Sequence, residues 1–441
     1  MFDEREKHLR ISEERWNKRL ARKEKKQDQR RQGKGAEPDV PAGSYKSPVL
    51  DLFHEFQPHK DRVNAAPKQI ILPPDFSLTR NTAPVLNLLR EIVKSARTSR
   101  RARLILDHRK VKNIGLGAEA LLALILKEIS LENRHVNGSY IRGYKAQDSK
   151  VRSIMDNIGC VRVLGSGVDE DITVSLKPGT LVFRHYNRGK KLVVDSSTVD
   201  PISKATADFS DHLNECLSLT GRRLTIKGRL AFAEHMGEVL INAQEHSGSA
   251  HWLVVGFIDT EDQETTYRAA IISLGNTIAD TFRALDGGSY PLQLILPYVE
   301  KHEKSGFFSP TWTVESLLNV VSLQGNISSK LDGPENDRGQ GTVDLIEFFQ
   351  DMSSECVGAK IKPALSILSG NSLIRFDGTY RMKYELDVRR KVVAFNVRNS
   401  LMDPPDTSAV TATPGPAFPG VMISISVPLS NTVVEIIDSE K

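Results

Sequence analysis

Four polar side chains share one face of a predicted helix in the stretch "HMGEVLINAQEH", residues 235–246: His235, Glu238, Asn242 and His246. Residues three and four apart are neighbours on a helix surface, so these groups point toward one site. An amide oxygen is the hard type of ligand that Mg²⁺ prefers, and a glutamate can orient or deprotonate a water or hydroxyl group. A second stripe on the same helix is apolar and predicts a buried face: Ala233, Met236, Leu240 and Ala243. The alternative for the polar stripe is an ordinary solvated face.

A glycine-rich turn, "DRGQGT" at residues 337–342, precedes a second amphipathic helix. Gly339 and Gly341 allow the backbone to come close to a phosphate, and the free N–H groups at the helix start attract an anion. The Arg338 guanidinium could pair with a phosphate through two hydrogen bonds, and Thr342 follows the turn directly. The turn therefore predicts phosphate binding, although a Gly-x-Gly sequence is also common in turns without a ligand.

The order of the elements around these motifs is typical of one family. The two-sided helix is followed by the strands "HWLVVGFID" and "TYRAAIISLG", a long segment, the glycine turn with its helix, and the further strands "ALSILSGNSLIRFDG" and "VMISISVPLS". Together with the Glu-x-x-x-Asn motif and the glycine turn, this order resembles the GHKL ATPases over about residues 201–430. That family includes gyrase, the heat-shock chaperone, histidine kinases and MutL. The resemblance implies an α/β sandwich with helices on one face of a mixed sheet, and the cofactors ATP and Mg²⁺.

The resemblance also implies roles for individual residues. Asn242 would hold Mg²⁺, and Glu238 would be the catalytic group acting on the attacking water or hydroxyl. His246 would border the phosphates, because "NAQEHS" is similar to this motif in histidine kinases and anti-sigma-factor kinases. The residues of the glycine turn would bind the phosphates: Arg338, Gly339, Gly341 and Thr342. The ending "PGVMISISVPL" is similar to the closing strand of the family.

The adenine side departs from the family's Asp-x-Gly-x-Gly motif. In "SLGNTIADTF", Ser273 occupies the aspartate position, Gly275 matches, and Thr277 replaces the second glycine. Ser273 can still accept a hydrogen bond from adenine, but a neutral bond is about half as strong as a charge-assisted one. The threonine that usually follows the glycine of the closing strand is Val421 here. We expect nucleotide contacts from Ser273, Gly275 and Thr277, with weakened adenine recognition.

Two other acidic residues could replace the missing aspartate. Asp259 ends the preceding strand, and Asp280 follows the motif by a few residues. Either carboxylate could accept the hydrogen bond from adenine, and sequence spacing does not decide between them.

Strands alternate with helices from about residue 68 to residue 165, which predicts a small α/β domain. Its stretch "LILDHRKVKNIGLGAEALLALI" resembles the STAS-like domains of anti-anti-sigma factors, and "VRSIMDNIGCVRVL" is similar to their last helix and strand. Phosphorylatable members of that family carry a serine where the central helix begins. Here Gly117 and its neighbours have no hydroxyl group, so we expect no phosphorylation at this position. The alternative is a plain α/β packing module.

The predicted fold class is therefore α/β, with a small STAS-like domain followed by a GHKL-type sandwich. We divide the chain into a basic tail and linker at 1–66, the STAS-like domain at 67–165, a connecting hairpin at 166–200 and the GHKL-like domain at 201–435. The last domain contains a long insertion at 279–337. This insertion is either a lid that closes over the nucleotide or a structural addition.

The composition is that of a cytoplasmic protein. No apolar run reaches the roughly 18 residues of a membrane-spanning helix, so we expect no membrane association. The three cysteines, Cys160, Cys216 and Cys356, are far apart and lack the spacing of a zinc site, which favours reduced thiols. The net charge of +5 is concentrated in residues 1–35, which carry a basic excess of about six. This tail is either a solvated segment or an arm for nucleic acid or a protein partner.

These patterns predict an ATP-binding regulatory protein for signalling, in which the GHKL-like domain is a nucleotide-dependent switch coupled to the STAS-like module. We expect a protein partner, and a homodimer is compatible with the resemblance. One alternative is an enzyme, either an ATPase or a serine protein kinase resembling the anti-sigma-factor kinases. Another is a scaffold that has lost nucleotide binding. Nucleic-acid binding through the basic tail is a further alternative.

Overall fold

The computed structural model describes residues 45–54, 66–99, 101–134, 136–165, 171–188, 200–219, 223–246, 251–260, 265–329, 341–354, 362–387 and 389–429. The basic tail at 1–35 lies outside the described residues, and so does the glycine turn as far as residue 340. Within the described part, every helix is too short or too polar to cross a membrane.

The N-terminal unit lies within residues 45–165. It comprises the stretch predicted as a STAS-like domain and a short preceding helix that the prediction places in the linker. The strand predicted at the end of "VRSIMDNIGCVRVL" is wrong, because Cys160–Gly165 is helical. Its elements are α1 (Pro48–Phe53), β1 (Lys68–Ile71), β2 (Asp75–Phe76), α2 (Thr82–Thr98), β3 (Arg103–Asp107), β4 (Asn113–Ile114), α3 (Leu116–Glu132), β5 (Tyr140–Tyr144), α4 (Ser149–Asn157) and α5 (Cys160–Gly165). β1, β3 and β5 form a parallel sheet with β3 in the centre. Parallel neighbours need a crossover connection, which α2 and α3 provide.

The C-terminal unit begins after residue 171 and contains the remaining elements. These are β6 (Thr180–Arg188), α6 (Pro201–Ser218), α7 (Ile226–His246), β7 (His251–Asp259), β8 (Thr266–Leu274), α8 (Ile278–Arg283), α9 (Tyr290–Lys304), α10 (Val314–Val321), α11 (Gly341–Ser354), β9 (Ala364–Gly370), β10 (Ser372–Phe376), β11 (Lys383–Glu385), β12 (Arg390–Val392), β13 (Val410–Ala412) and β14 (Phe418–Pro428). With the N-terminal unit they confirm the predicted α/β class.

A seven-stranded sheet in the order β13-β10-β9-β14-β8-β7-β6 is the centre of the C-terminal unit. Every neighbouring pair in it is antiparallel, so the prediction of a mixed sheet is wrong. The reason is that β7 and β8 follow each other as a hairpin, as do β9 and β10. The stretch "ALSILSGNSLIRFDG" is therefore not one strand but two, joined by a turn at Gly370, whose φ is +58°.

β6 is an edge strand of this large sheet. It pairs with β7 along its whole length, from Thr180 opposite Asp259 to Arg188 opposite His251. The segment 166–200, predicted as a connecting hairpin, thus contributes β6 to the sheet of the C-terminal unit. The second half of that predicted hairpin lies outside the described residues.

The two faces of the large sheet belong to two different cores. Trp252 and Ile271 belong to the core formed with helices α6, α7 and α11. The next residues along the same strands, Leu253 and Ile272, belong to the core of the N-terminal unit. Successive residues of a strand point to opposite faces. The second face, which the predicted two-layer sandwich left open, is covered by the N-terminal unit.

Helix α3 forms most of this second contact. It is apolar on nearly every side and buried along most of its length, and it packs on β7, β8 and β14. A helix that is apolar all round must be covered all round. The fit is closest at Gly117, where an added Cβ would lie 2.7 Å from the Met422 sulfur.

The described part of the insertion, residues 279–329, packs into the helix-covered core. The buried His302 ring accepts a hydrogen bond from Trp312 Nε1 at 3.0 Å through its Nδ1. Its Nε2 therefore carries the proton and donates to the carbonyl oxygen of Leu401, also at 3.0 Å. Asn319 donates to the Ser369 carbonyl of β9. These contacts favour a structural addition for this part of the insertion; residues 330–337 lie outside the described part.

Candidate functional site

Helices α7 and α11 lie side by side on the sheet. The rings of Phe232 and Phe348 are 5.6 Å apart, and His235 Nδ1 lies 3.9 Å from a carboxylate oxygen of Asp344. From the first contact to the second, the residue number rises along α7 and falls along α11, so the two helices are antiparallel. The turn of α7 that carries Glu238 therefore lies level with the start of α11 at Gly341.

The polar and apolar stripes of α7 are arranged as the sequence predicts. Met236, Leu240 and Ala243 are buried in the core, while Ala233 is half-buried. On the other side, Glu238 is exposed and Asn242 is half-buried. His246 is the last residue of α7, and its side chain lies outside the described part. Glu238 and Asn242 are separated by about 6 Å along the helix axis, one turn apart.

The predicted phosphate-binding residues are only partly within the described structure. Gly341 begins α11, and Thr342 is half-buried in its first turn. Arg338 and Gly339 lie outside the described residues. Asp344 is an acidic group in the same first turn, and the glycine motif alone gives no sign of its role there. An acidic side chain favours the positive end of a helix, so it competes there with any bound anion.

Ser273 lies beneath α7 and is bonded to the residue that follows Asn242. Its hydroxyl donates to the carbonyl oxygen of Ala243 at 3.0 Å, and in the sheet it pairs with Trp252 and Val421. The side chain is buried, at 5% exposure. A hydroxyl that has used its one proton keeps its lone pairs, so Ser273 can still accept a hydrogen bond from a ligand.

Two glycines with positive φ bring β8 and β14 together just beyond Ser273. Gly420 has a φ of +131°, and an added Cβ would lie 2.0 Å from the Ser273 carbonyl oxygen. Gly275 has a φ of +130°, and its N–H donates to the Pro419 carbonyl. Glycine alone among the residues adopts such angles readily. The backbone conformation therefore explains a glycine at position 275 whether or not a ligand binds there.

Thr277 and Asp280 begin helix α8 as a capping box. The Thr277 hydroxyl accepts from the Asp280 N–H, and the Asp280 carboxylate accepts from the Thr277 N–H. Burial raises the pKa of Asp280, but the hydrogen bonds from Thr277 and the contact with Arg283 outweigh it and lower the pKa overall. Asp280 is committed to this cap and to Arg283, which counts against it as a substitute for the adenine-binding aspartate.

Asp259 is ruled out as that substitute by its position. It lies seven residues beyond Trp252 on β7, and Trp252 is the partner of Ser273. At the rise of a β-strand this is a separation of about 23 Å. Its carboxylate accepts a hydrogen bond from Ser153 of the N-terminal unit at 2.6 Å and lies 3.4 Å from Lys177.

No protein-family model matches this sequence, and no curated protein and no solved structure is significantly similar to it. The resemblance to GHKL ATPases therefore stays a prediction from the motifs of the sequence.

Proposed function

We propose that this chain is an ATP-binding regulatory protein in which the C-terminal unit is a nucleotide-dependent switch coupled to the N-terminal unit. The observation that supports the proposal is the position of three elements on the same side of one sheet. The polar face of α7, the Ser273 hydroxyl of β8 and the first turn of α11 all lie on the helix-covered side of one sheet.

The residues present suit a magnesium nucleotide on the phosphate side. Asn242 offers an amide oxygen that is only half-covered, and the start of α11 offers N–H groups to an anion. Bound Mg-ATP would supply the transferable phosphate, and its Mg²⁺ would neutralise charge on the phosphate oxygens. Glu238, exposed one turn before Asn242, is placed to orient a water or hydroxyl group.

The adenine side is weaker, and we propose that Ser273 accepts the hydrogen bond there. Thr277 is engaged in the helix cap, so its contribution is to hold the loop after β8. A neutral acceptor in place of a carboxylate implies modest affinity and relaxed selectivity for the base.

The coupling would run through the sheet itself. Ser273 bonds to α7 on one side, while its neighbours Ile272 and Leu274 belong to the core that contains α3. A displacement of α7 therefore acts on strands that α3 contacts directly. Such a strand contacts both units and is a contiguous physical route between them.

A titration of the full chain with Mg-ATP in a calorimeter tests the proposal. We expect saturable binding by the wild type, and Asn242→Ala should bind at least about 10-fold more weakly, roughly 1.4 kcal/mol. Gln244→Ala is the matched control, because Gln244 is an exposed amide on the same helix and, two residues after Asn242, lies on a different side of it. Equal affinity of Asn242→Ala and the wild type would sink the assignment of Asn242.

Two alternatives keep specific support. A scaffold without nucleotide is favoured by three positions: Ser273, Val421 and Thr277, whose side chain is engaged in the helix cap. The absence of any heat at millimolar Mg-ATP would establish it. The pairing of STAS-like and kinase-like units favours a serine protein kinase. Its acceptor would lie on a partner protein or on a second copy of the chain, because Gly117 is buried against Met422 and has no hydroxyl. Labelled phosphate appearing on protein would distinguish the kinase from a binding switch.

A further inference from the structure

Three polar side chains of the N-terminal unit meet in its interior, remote from the nucleotide motifs in sequence. His108 follows β3, Glu119 lies in the first turn of α3, and Cys160 begins α5. All three are buried, with exposures of 1%, 0% and 6%. One ligand atom from each lies within 4.8 Å of the other two, and no other such group of three occurs among the described residues.

The hydrogen bonds around Glu119 leave one of its oxygens for another partner. Oε1 accepts from the backbone N–H of Cys160 at 2.8 Å. Oε2 has no hydrogen-bond partner and faces His108 Nε2 at 3.7 Å. Both ring nitrogens of His108 are also without a hydrogen bond. Buried polar atoms in proteins nearly always have a partner, so three unpartnered atoms at one place indicate a missing one.

The chain makes room for this cluster at Gly159. A Cβ at that position would lie 2.2 Å from Glu119 Oε1, so any larger residue would push the carboxylate away. Glycine before Cys160 therefore allows the start of α5 to close on Glu119. This role of Gly159 is local to the stretch "NIGC", and the spacing between the cysteines gives no sign of it.

We infer that His108, Glu119 and Cys160 form a binding site for a divalent transition-metal ion of the zinc class. Imidazole, thiolate and carboxylate bind Zn²⁺ at about 2.0–2.3 Å, which places tetrahedral ligands roughly 3.3–3.8 Å apart. The His108–Glu119 separation of 3.7 Å already falls in this range. The softness of the thiolate and imidazole selects this class of ion over Mg²⁺ or Ca²⁺.

Charge balance supports a divalent ion at this place. Binding displaces the thiol proton of Cys160 to solvent, so one thiolate and one carboxylate neutralise the two positive charges. A coordinating metal is the agent that deprotonates a thiol outright. A water or small anion completes the fourth position, as in three-ligand zinc sites.

The test is a Co²⁺ titration of the full chain after removal of metal by a chelator. A thiolate bound to Co²⁺ gives a ligand-to-metal charge-transfer band, and Zn²⁺ should abolish it by competition. We expect saturation at one ion per chain for the wild type. Cys160→Ser should lose the band and bind more than about 100-fold more weakly, beyond the 10–100-fold typical of changes outside the ligand set.

A cysteine-depleted variant keeps the test independent of the stability of Cys160→Ser. The double variant C216S/C356S leaves Cys160 as the only cysteine of the chain and should keep the full band. Cys216 is the matched control, because it also lies next to a histidine, with His212 Nε2 3.6 Å away. A wild-type chain that is folded by circular dichroism but gives no thiolate band overturns the inference. A band that persists in folded Cys160→Ser also overturns it, because the thiolate ligand is then one of the other two cysteines.

Discussion

His212 of α6 is a titratable side chain enclosed by aromatic rings. Phe183, Phe209 and Tyr267 lie within 6.5 Å of it, measured between ring centroids. Gly256 leaves the space for its ring, since an added Cβ there would lie 2.6 Å from His212 Nε2. Burial lowers the pKa of His212 from 6.5 to about 3. Charging this ring in the folded state is therefore strongly unfavourable.

This shift makes the stability of the C-terminal unit depend on pH. The folded-state pKa lies below the unfolded value, so the contribution of His212 to stability is complete above about pH 6.5 and declines as the pH falls toward 3. We expect the free energy of unfolding in urea to fall between about pH 7 and pH 5. His212→Gln should show a smaller fall, although its absolute stability is lower. An identical pH dependence of the variant and the wild type would contradict this account.

The sequence predicts single residues well where the spacing along one element decides their position. Glu238 and Asn242 share one face of α7 because of helix geometry alone, and the buried positions of Met236 and Leu240 follow from the same period. Sequence could not decide between Ser273 and its substitutes. The position of Asp259 depends on strand pairing across the sheet, which no local pattern encodes.

The contacts between elements depend on a few close approaches. The end of β8 lies against the start of β14, because Gly420 has a φ of +131° and its Cα faces the Ser273 carbonyl. The register between β14 and β9 shifts at the same place, between Phe418 and Val421. Any side chain at Gly420 would separate the strands that hold Ser273 beneath α7.

Gly420→Ala should destabilise the C-terminal unit by at least about 1–3 kcal/mol, because it combines backbone strain with a steric clash. Gly237→Ala is the matched control, since Gly237 lies inside α7 with open space around it. Alanine there should stabilise the helix by about 0.5–1 kcal/mol. Urea unfolding of both variants measures the two changes in the free energy of unfolding, which should have opposite signs. Equal changes would show that the junction of β8 and β14 does not require glycine at position 420.

Element types were largely readable from the sequence, but their pairing was not. The helices α2, α3 and α7 and the strands β3, β7 and β8 follow from hydrophobic periodicity. The sequence gives no signal that β6 pairs with β7, because a strand edge is complementary to any other strand. The hairpin between β9 and β10 depends on Gly370 in a left-handed conformation, which a glycine in a strand pattern only hints at.

The whole molecule is organised around one sheet that serves two hydrophobic cores. α6, α7 and α11 cover one face, and α3 with the N-terminal unit covers the other. A sheet residue that faces α7 is adjacent in the chain to a residue that faces α3. The all-round apolar sequence of α3 could have indicated this arrangement, because a helix covered on every side needs a partner beyond its own small sheet.

Amide hydrogen exchange of the full chain with and without saturating Mg-ATP tests the central claim most directly. If the C-terminal unit is a switch coupled through the sheet, nucleotide should change exchange rates in α7 and also in α3 and β8 of the wild type. Asn242→Ala at the same nucleotide concentration should show neither change. A wild-type chain shown by calorimetry to be saturated, whose α3 and β8 exchange as in the free protein, would contradict the coupling.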